Sequence, residues 1–286
     1  MLYIQNKKSP YVYEKFKDIV LYHFKIEEYT QFHDYIIKNK YEQDLEVELT
    51  LEYSKRNAFV FEVTTTNQKY TLDKSLKKQE NLIRELSSIT EKVELGIDIA
   101  GDIEELLNHN EIKEKWNALL PKLKRHHQGT LAHGYLDGIE KKITDKKRFT
   151  TDLKQYRMFG TLFNNLLRIP FDNESIKTRT RTITNVIHCL PVTIKERLVL
   201  VSEDVTTDIL TYAVTGTLEP IDLETTNRIK KYFKYYDATE DEVYLENYSG
   251  HYKINKFTAW TQEAQISLMI TNGRGYRRHM QFSLVK

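Results

Sequence analysis

One pattern constrains the fold more than any other: alternating strand segments, a helix and further strands, occurring once toward each end of the chain. In the first half, residues 45–53 and 58–63 alternate apolar and polar side chains, a helical stretch follows at about 73–92, and another alternating run covers 93–99. In the second half, residues 194–201 and 209–218 lead to a helix at about 222–236, with strands at about 243–255 and 257–285. A period of two places one strand face in a core and the other in water, whereas a period near 3.6 marks a helix with one apolar stripe. The pattern predicts an α+β fold made of two similar, mainly antiparallel β units, each with a crossing helix. It divides the chain into a β-rich unit at 1–107, a helical insertion at 108–170 and a second β-rich unit at 171–286.

Local signals refine this. Residues 18–29 alternate, with Val20, Tyr22, Phe24 and Ile26 on the face better suited to a core. Tyr35, Ile36 and Ile37 fit either a strand or a short helix, and Lys55 to Asn57 reads as a hairpin connection. Asp73 or Ser75 is placed to cap the first helix. Gly101 allows a tight reversal that pairs 93–99 with 103–107. Asn108 or Asn110 then caps a helix carrying Ile112, Trp116, Leu119, Leu120 and Leu123, which Pro121 should kink or restart. Leu131, Tyr135, Ile139 and Ile143 form a four-residue ladder, and apolar residues from Phe149 to Leu167 continue the helical region. Residues 170–180 read as the linker, Thr178 to Thr184 as a strand, and Gly250 as a turn or bulge. Asn272-Gly-Arg-Gly-Tyr276 is the strongest hairpin turn.

Composition limits function. At 286 residues the chain can bury a substantial core, and 40% hydrophobic with 29% charged residues suits a folded protein. A formal charge of +2 gives no general pull toward nucleic acid. One cysteine, Cys189, excludes an internal disulfide and reads as a buried, inert thiol. The first ten residues lack a secretory h-region, and nowhere do 18 apolar residues run together, which points to a cytoplasmic protein without a membrane span.

Candidate chemistry is sparse. His126, His127 and His133 lie within eight residues, but the first two point about 100° apart on a helix and no carboxylate completes a zinc set. His188 and Cys189, as strand neighbours, face opposite ways and cannot act together; a base would have to come from His23, His33, His251 or His279. Glu104/Glu105 and Asp241/Glu242 fall in polar turns or helix starts, and no phosphate loop or nucleophile elbow occurs. No catalytic residue, cofactor or metal ligand is assigned.

Two basic stretches, Lys177/Arg179/Arg181 and Arg274/Arg277/Arg278/His279 around Tyr276, suit phosphate contacts but equally suit protection of a sheet edge. Nucleic-acid binding ranks last of three readings. The first is a non-enzymatic protein-binding or assembly component, of adaptor, immunity or structural type, acting through a Tyr-rich surface; 19 Tyr against 2 Trp motivate it. Its partner-binding residues are Tyr232, Phe233, Tyr235, Tyr236, Arg274, Tyr276 and Arg277. The second is a ligand-pocket protein or enzyme with a site assembled from distant strands, drawing on His23, Tyr248, His251 and Arg277.

Overall fold

Alternation of apolar and polar residues builds about half of the described residues into one antiparallel sheet. A computed structural model describes residues 19–51, 59–98, 100–164, 166, 176–238 and 242–286. Its strands are β1 (Val20–Phe32), β2 (Tyr35–Leu51), β3 (Phe59–Thr71), β4 (Lys92–Ile97), β5 (Ile103–Leu106), β6 (Lys177–Ile187), β7 (Leu190–Asp204), β8 (Ile209–Leu218), β9 (Tyr244–Asn255), β10 (Thr261–Thr271) and β11 (Tyr276–Val285). They form one 11-stranded sheet in the order β5-β4-β3-β2-β1-β11-β10-β9-β8-β7-β6. Each half of the chain is therefore a meander of neighbouring strands, and the two meet where β1 pairs with β11. The helices are α1 (Glu80–Ser87), α2 (His109–His126), α3 (Thr130–Thr144), α4 (Lys146–Gln155), α5 (Arg157–Leu162) and α6 (Leu223–Tyr235). The fold is α+β, with α1 interrupting the first meander after its third strand and α6 interrupting the second at the same step.

The sheet is strongly curved. Phe61 on β3 and Trp260, just before β10, lie 5.5 Å apart between ring centroids. Four strand spacings separate β3 from β10, about 19 Å in a flat sheet. The guanidinium of Arg181 on β6 sits 5.4 Å from the ring of Phe282 on β11, five strands away. Only a concave sheet brings such residues together. The concave face carries the core: Val20, Tyr22, Phe24 and Ile26 of β1 are buried, as their spacing predicts, with Leu45, Val47, Phe61, Val63, Ile266, Leu268 and Phe282. The convex face is laced with cross-strand ion pairs such as Lys92–Glu62 at 2.7 Å and Arg277–Glu246 at 3.0 Å. Exposed pairs of this kind contribute about 0–1 kcal/mol each, so that face is solvated and not a hidden core.

The insertion packs into the concavity. In α5, Arg157, Met158, Phe159, Thr161 and Leu162 are all buried. Trp116 and Leu123 of α2 are fully buried, and α2 continues through Pro121 as one 18-residue helix where a kink or restart was expected. Packing on both sides of the proline holds the helix together despite the lost backbone bond. On α3 the expected ladder does not hold, because Tyr135 is exposed while Leu136 and Ile143 are buried. Residues four apart advance 400° around a helix, so a four-residue ladder drifts off any single face.

Two further expectations are corrected. Gly250 is no turn: it sits inside β9, paired with Val214 and Ile266. Cys189 is exposed, in the turn between β6 and β7, because the left-handed backbone of His188 (φ 54°) reverses the chain there. Tyr35 to Ile37 extend β2, which runs 17 residues. Asp73 does cap a 3-10 turn leading into α1, accepting from the Ser75 amide at 2.9 Å. Asn108 instead ties α2 to the sheet, accepting from the Glu94 amide at 2.9 Å and donating to the Lys92 carbonyl at 3.2 Å. The reversal at Gly101 (φ 83°) pairs β4 with β5 as expected. The expected connection at Lys55 to Asn57, most of the expected linker, and Asp241 lie outside the described residues.

Candidate functional site

The aromatic residues of α6 divide by helical spacing. Ile229 and Phe233 point into the core, and Phe233 is fully buried, 4.8 Å from the ring of Tyr276. Tyr232 and Tyr236 flank Phe32, at 5.6 and 4.2 Å, and Tyr232 also stacks on His188 at 4.9 Å. Tyr235 turns outward and is 81% exposed. Of the seven residues expected at a partner surface, Phe233 and Tyr276 are therefore core residues, and Tyr232 and Tyr236 are partly covered. Tyr235 and Arg274 are exposed, whereas Arg277 projects from the convex face and pairs with Glu246.

Exposed apolar side chains do gather around Tyr235, from positions the sequence did not single out. The β1–β2 hairpin, the β10–β11 hairpin, the start of β9 and the end of α6 share one end of the sheet. There Tyr35 is 49% exposed, Ile36 40% and Tyr244 51%. His33 joins the elements: its amide donates to the Gly275 carbonyl at 2.8 Å, and its Nε2 lies 3.0 Å from the Asp237 carbonyl. Gly275 (φ 83°) is required at this point, since a Cβ there would sit 2.5 Å from the His33 ring. Lys231 and Lys234 border the patch on the exposed side of α6.

The concave interior is not wholly apolar. Glu28 on β1 accepts from Arg157 of α5 and Arg278 of β11, the latter at 3.1 Å. Burial pushes this carboxyl up, but the two guanidiniums outweigh it and hold Glu28 below the ordinary carboxylate range. A second group surrounds Glu196 on β7, which pairs with Arg179 and Arg181 and accepts from the Tyr248 hydroxyl. Here too burial pushes the carboxyl up, while Arg179 and Arg181 hold it down overall. Burial, aided by Glu196, raises the Tyr248 phenol well above its usual value, so it remains a neutral donor. The arginines of β6 thus face inward and are satisfied, instead of forming an outward row for phosphates.

The other sequence candidates do not converge. His126 is exposed, His127 lies 3.7 Å from Glu85, and His133 Nε2 lies 3.3 Å from the Lys124 carbonyl. Among the described residues no group of three His, Cys, Asp or Glu is arranged to hold a metal. His23 pairs with Asp44 on the convex face, His251 with Glu263, and Tyr248 with Glu196 inside the sheet, so the four residues proposed for a pocket do not converge. Glu105 pairs with Lys146. A cleft of about 660 Å³ does exist, between β2–β3, α1, α4–α5 and the β6–β7 turn. No helix among the described residues is long and apolar enough to cross a membrane.

No protein family and no curated protein sequence matches this chain. A solved structure titled "Lipid-protein interactions in lipovitellin" superposes with a TM-score of 0.48 at 12% identity, covering 93% of this chain and 25% of that one. This chain thus spans about a quarter of that protein's length, and a likeness at that level carries no functional argument.

Proposed function

We propose that this protein is a non-enzymatic binding or assembly component that docks a protein partner on the sheet end formed by Tyr35, Ile36, Tyr235 and Tyr244. The observation that supports this reading is their joint exposure at one end, while the convex face carries cross-strand ion pairs and the concave face packs against α5. Tyrosine gives large, rigid contact area at low entropic cost and is enriched in interface hot spots. The partner offers an apolar recess for Tyr235, flanked by acidic groups that meet Lys231 and Lys234. The two helix-interrupted meanders are read as an internal repeat that builds a rigid platform for this end, in a cytoplasmic protein. Arg179 and Arg181 spend their charge on Glu196, which disfavours nucleic acid as the partner.

Affinity purification of the tagged full chain from its native host, with native mass measurement, tests this. A stoichiometric protein is expected with the wild type and with Val205→Glu, an exposed site in the β7–β8 turn at the opposite end. Tyr35→Glu and Tyr235→Glu should lose it. No stoichiometric partner, or a partner retained by both variants, overturns the proposal.

A further inference from the structure

The cleft beside α5 contains chemistry that docking at the sheet end does not use. Arg157 lines it, and so does Tyr41. Both belong to the group around Glu28, where two guanidiniums meet one carboxylate and leave an excess positive charge inside the protein. Arg157 and Arg278 are 5% and 9% exposed, and their Nε atoms are buried without a hydrogen-bond partner. Of the two only Arg157 reaches the cleft wall, where an oxyanion would offset that excess charge without touching the buried Nε atoms. Tyr41 and Tyr156 both line the cleft, and their phenols feel Glu28, Arg157 and each other. Burial raises both phenols, so each retains its proton and can donate. Neither hydroxyl is committed to a hydrogen bond among the described residues.

The rest of the cleft is apolar where it meets α1. That helix is amphipathic yet has no buried residue, and its Ile83 and Leu86 are left half-buried on the cleft wall. Phe149 and Leu153 of α4 line the cleft with them. At the rim, Arg148 and Arg228 are exposed and make no ion pair among the described residues, a placement that draws anions inward. A volume of about 660 Å³ lies within the usual range for small-molecule sites.

We infer that this cleft binds an amphiphilic oxyanion, with a carboxylate or phosphate-ester head on Arg157, Tyr41 and Tyr156 and an apolar body beneath α1. The head compensates the buried excess charge, and the body completes the burial of Ile83 and Leu86. The site is separate from the docking end, and either can fail without the other.

Calorimetric titration of the full chain with decanoate, decyl phosphate, decan-1-ol and inorganic phosphate tests it. One equivalent of decanoate or decyl phosphate should bind at least tenfold more tightly than either decanol or inorganic phosphate, and the stronger of the two acids identifies the head. Tyr41→Phe and Tyr156→Phe, which keep the ring volume, should each weaken the acid three- to tenfold and leave decanol unchanged. Arg157→Gln should remove the preference for the acid. If that variant does not fold, Arg148→Gln with Arg228→Gln provides the charge test, through slower association at low salt. No acid binding, equal affinity for acid and alcohol, equal affinity for inorganic phosphate, or acid affinity unchanged in both tyrosine variants overturns the inference.

Discussion

Arg181 donates from Nη2 to the hydroxyl of Thr161 at 3.0 Å, tying the edge strand β6 to the helix at the centre of the concave face. One helical turn earlier, Arg157 of the same helix pairs with Glu28 on β1. The six-residue α5 is therefore held to both halves of the sheet by polar bonds, although its surroundings are mostly apolar. A helix this short is marginal alone, so tertiary contacts decide its position.

Thr161→Val keeps the side-chain shape but removes the acceptor for Arg181. A hydrogen bond to a charged group contributes about 1.5–3 kcal/mol, and a loss in that range is expected on denaturant unfolding. A change within about 0.5 kcal/mol would show that the Arg181–Thr161 bond does not help to hold α5.

Glu28→Gln leaves Arg157 and Arg278 facing a neutral amide. Removing one partner of a buried ion pair costs about 3–5 kcal/mol, because the remaining charges stay desolvated. The substitution should lower the unfolding midpoint far more than Glu62→Gln, whose partner Lys92 is half in water. Equal effects would mean that water reaches Glu28.

The same two buried carboxylates set the response to acid. Glu28 and Glu196 have folded pKa values below the ordinary 4.5, so each favours the folded state most when ionised. Their contribution is complete above that value and is lost as pH falls through the lower folded pKa values. Unfolding free energy should fall steeply below about pH 4. Raising salt to about 0.5 M should leave this loss in place, since buried pairs are weakly screened. Stability that is flat from pH 5 to 3, or an acid loss abolished by salt, would show these pairs to be solvent-screened.

Much of the sheet was legible because alternation is a local signal. The face named for Val20, Tyr22, Phe24 and Ile26, carried two residues further, reaches Glu28, and alternation through Tyr276, Met280 and Phe282 puts Arg278 inside and Arg277 outside. Arg277 attracted attention as part of a basic run, yet the parity of the strand singles out Arg278 as the buried cation. Arg157 carried no such signal: nothing local to α5 announces that Glu28, 129 residues earlier, will be its partner. The exposed end was hidden for a similar reason. Tyr35 lies about 200 residues before Tyr235 and Tyr244, and the three share one end of the sheet only because the connections there converge. Helical spacing within 232–236 does separate Phe233 from Tyr235, but which side faces the core depends on the sheet beneath.

Glycine positions test the packing from the opposite direction. A Cβ at Gly250 would lie 2.1 Å from the carbonyl oxygen of Gln265 and 2.9 Å from Cα of Ile266, both backbone atoms of the neighbouring strand β10. Overpacking against atoms that cannot rotate away costs about 1–3 kcal/mol or more, so Gly250→Ala should destabilise by at least that amount. Gly138, on the exposed side of α3, meets nothing within 4 Å. There alanine removes only the entropic cost of glycine in a helix, and a gain of about 0.5–1 kcal/mol is expected. Measuring both by chemical unfolding separates backbone crowding from helix propensity. If Gly250→Ala were as stable as the wild type, β9 and β10 would have to lie further apart at this position than the pairing of Gly250 with Ile266 places them.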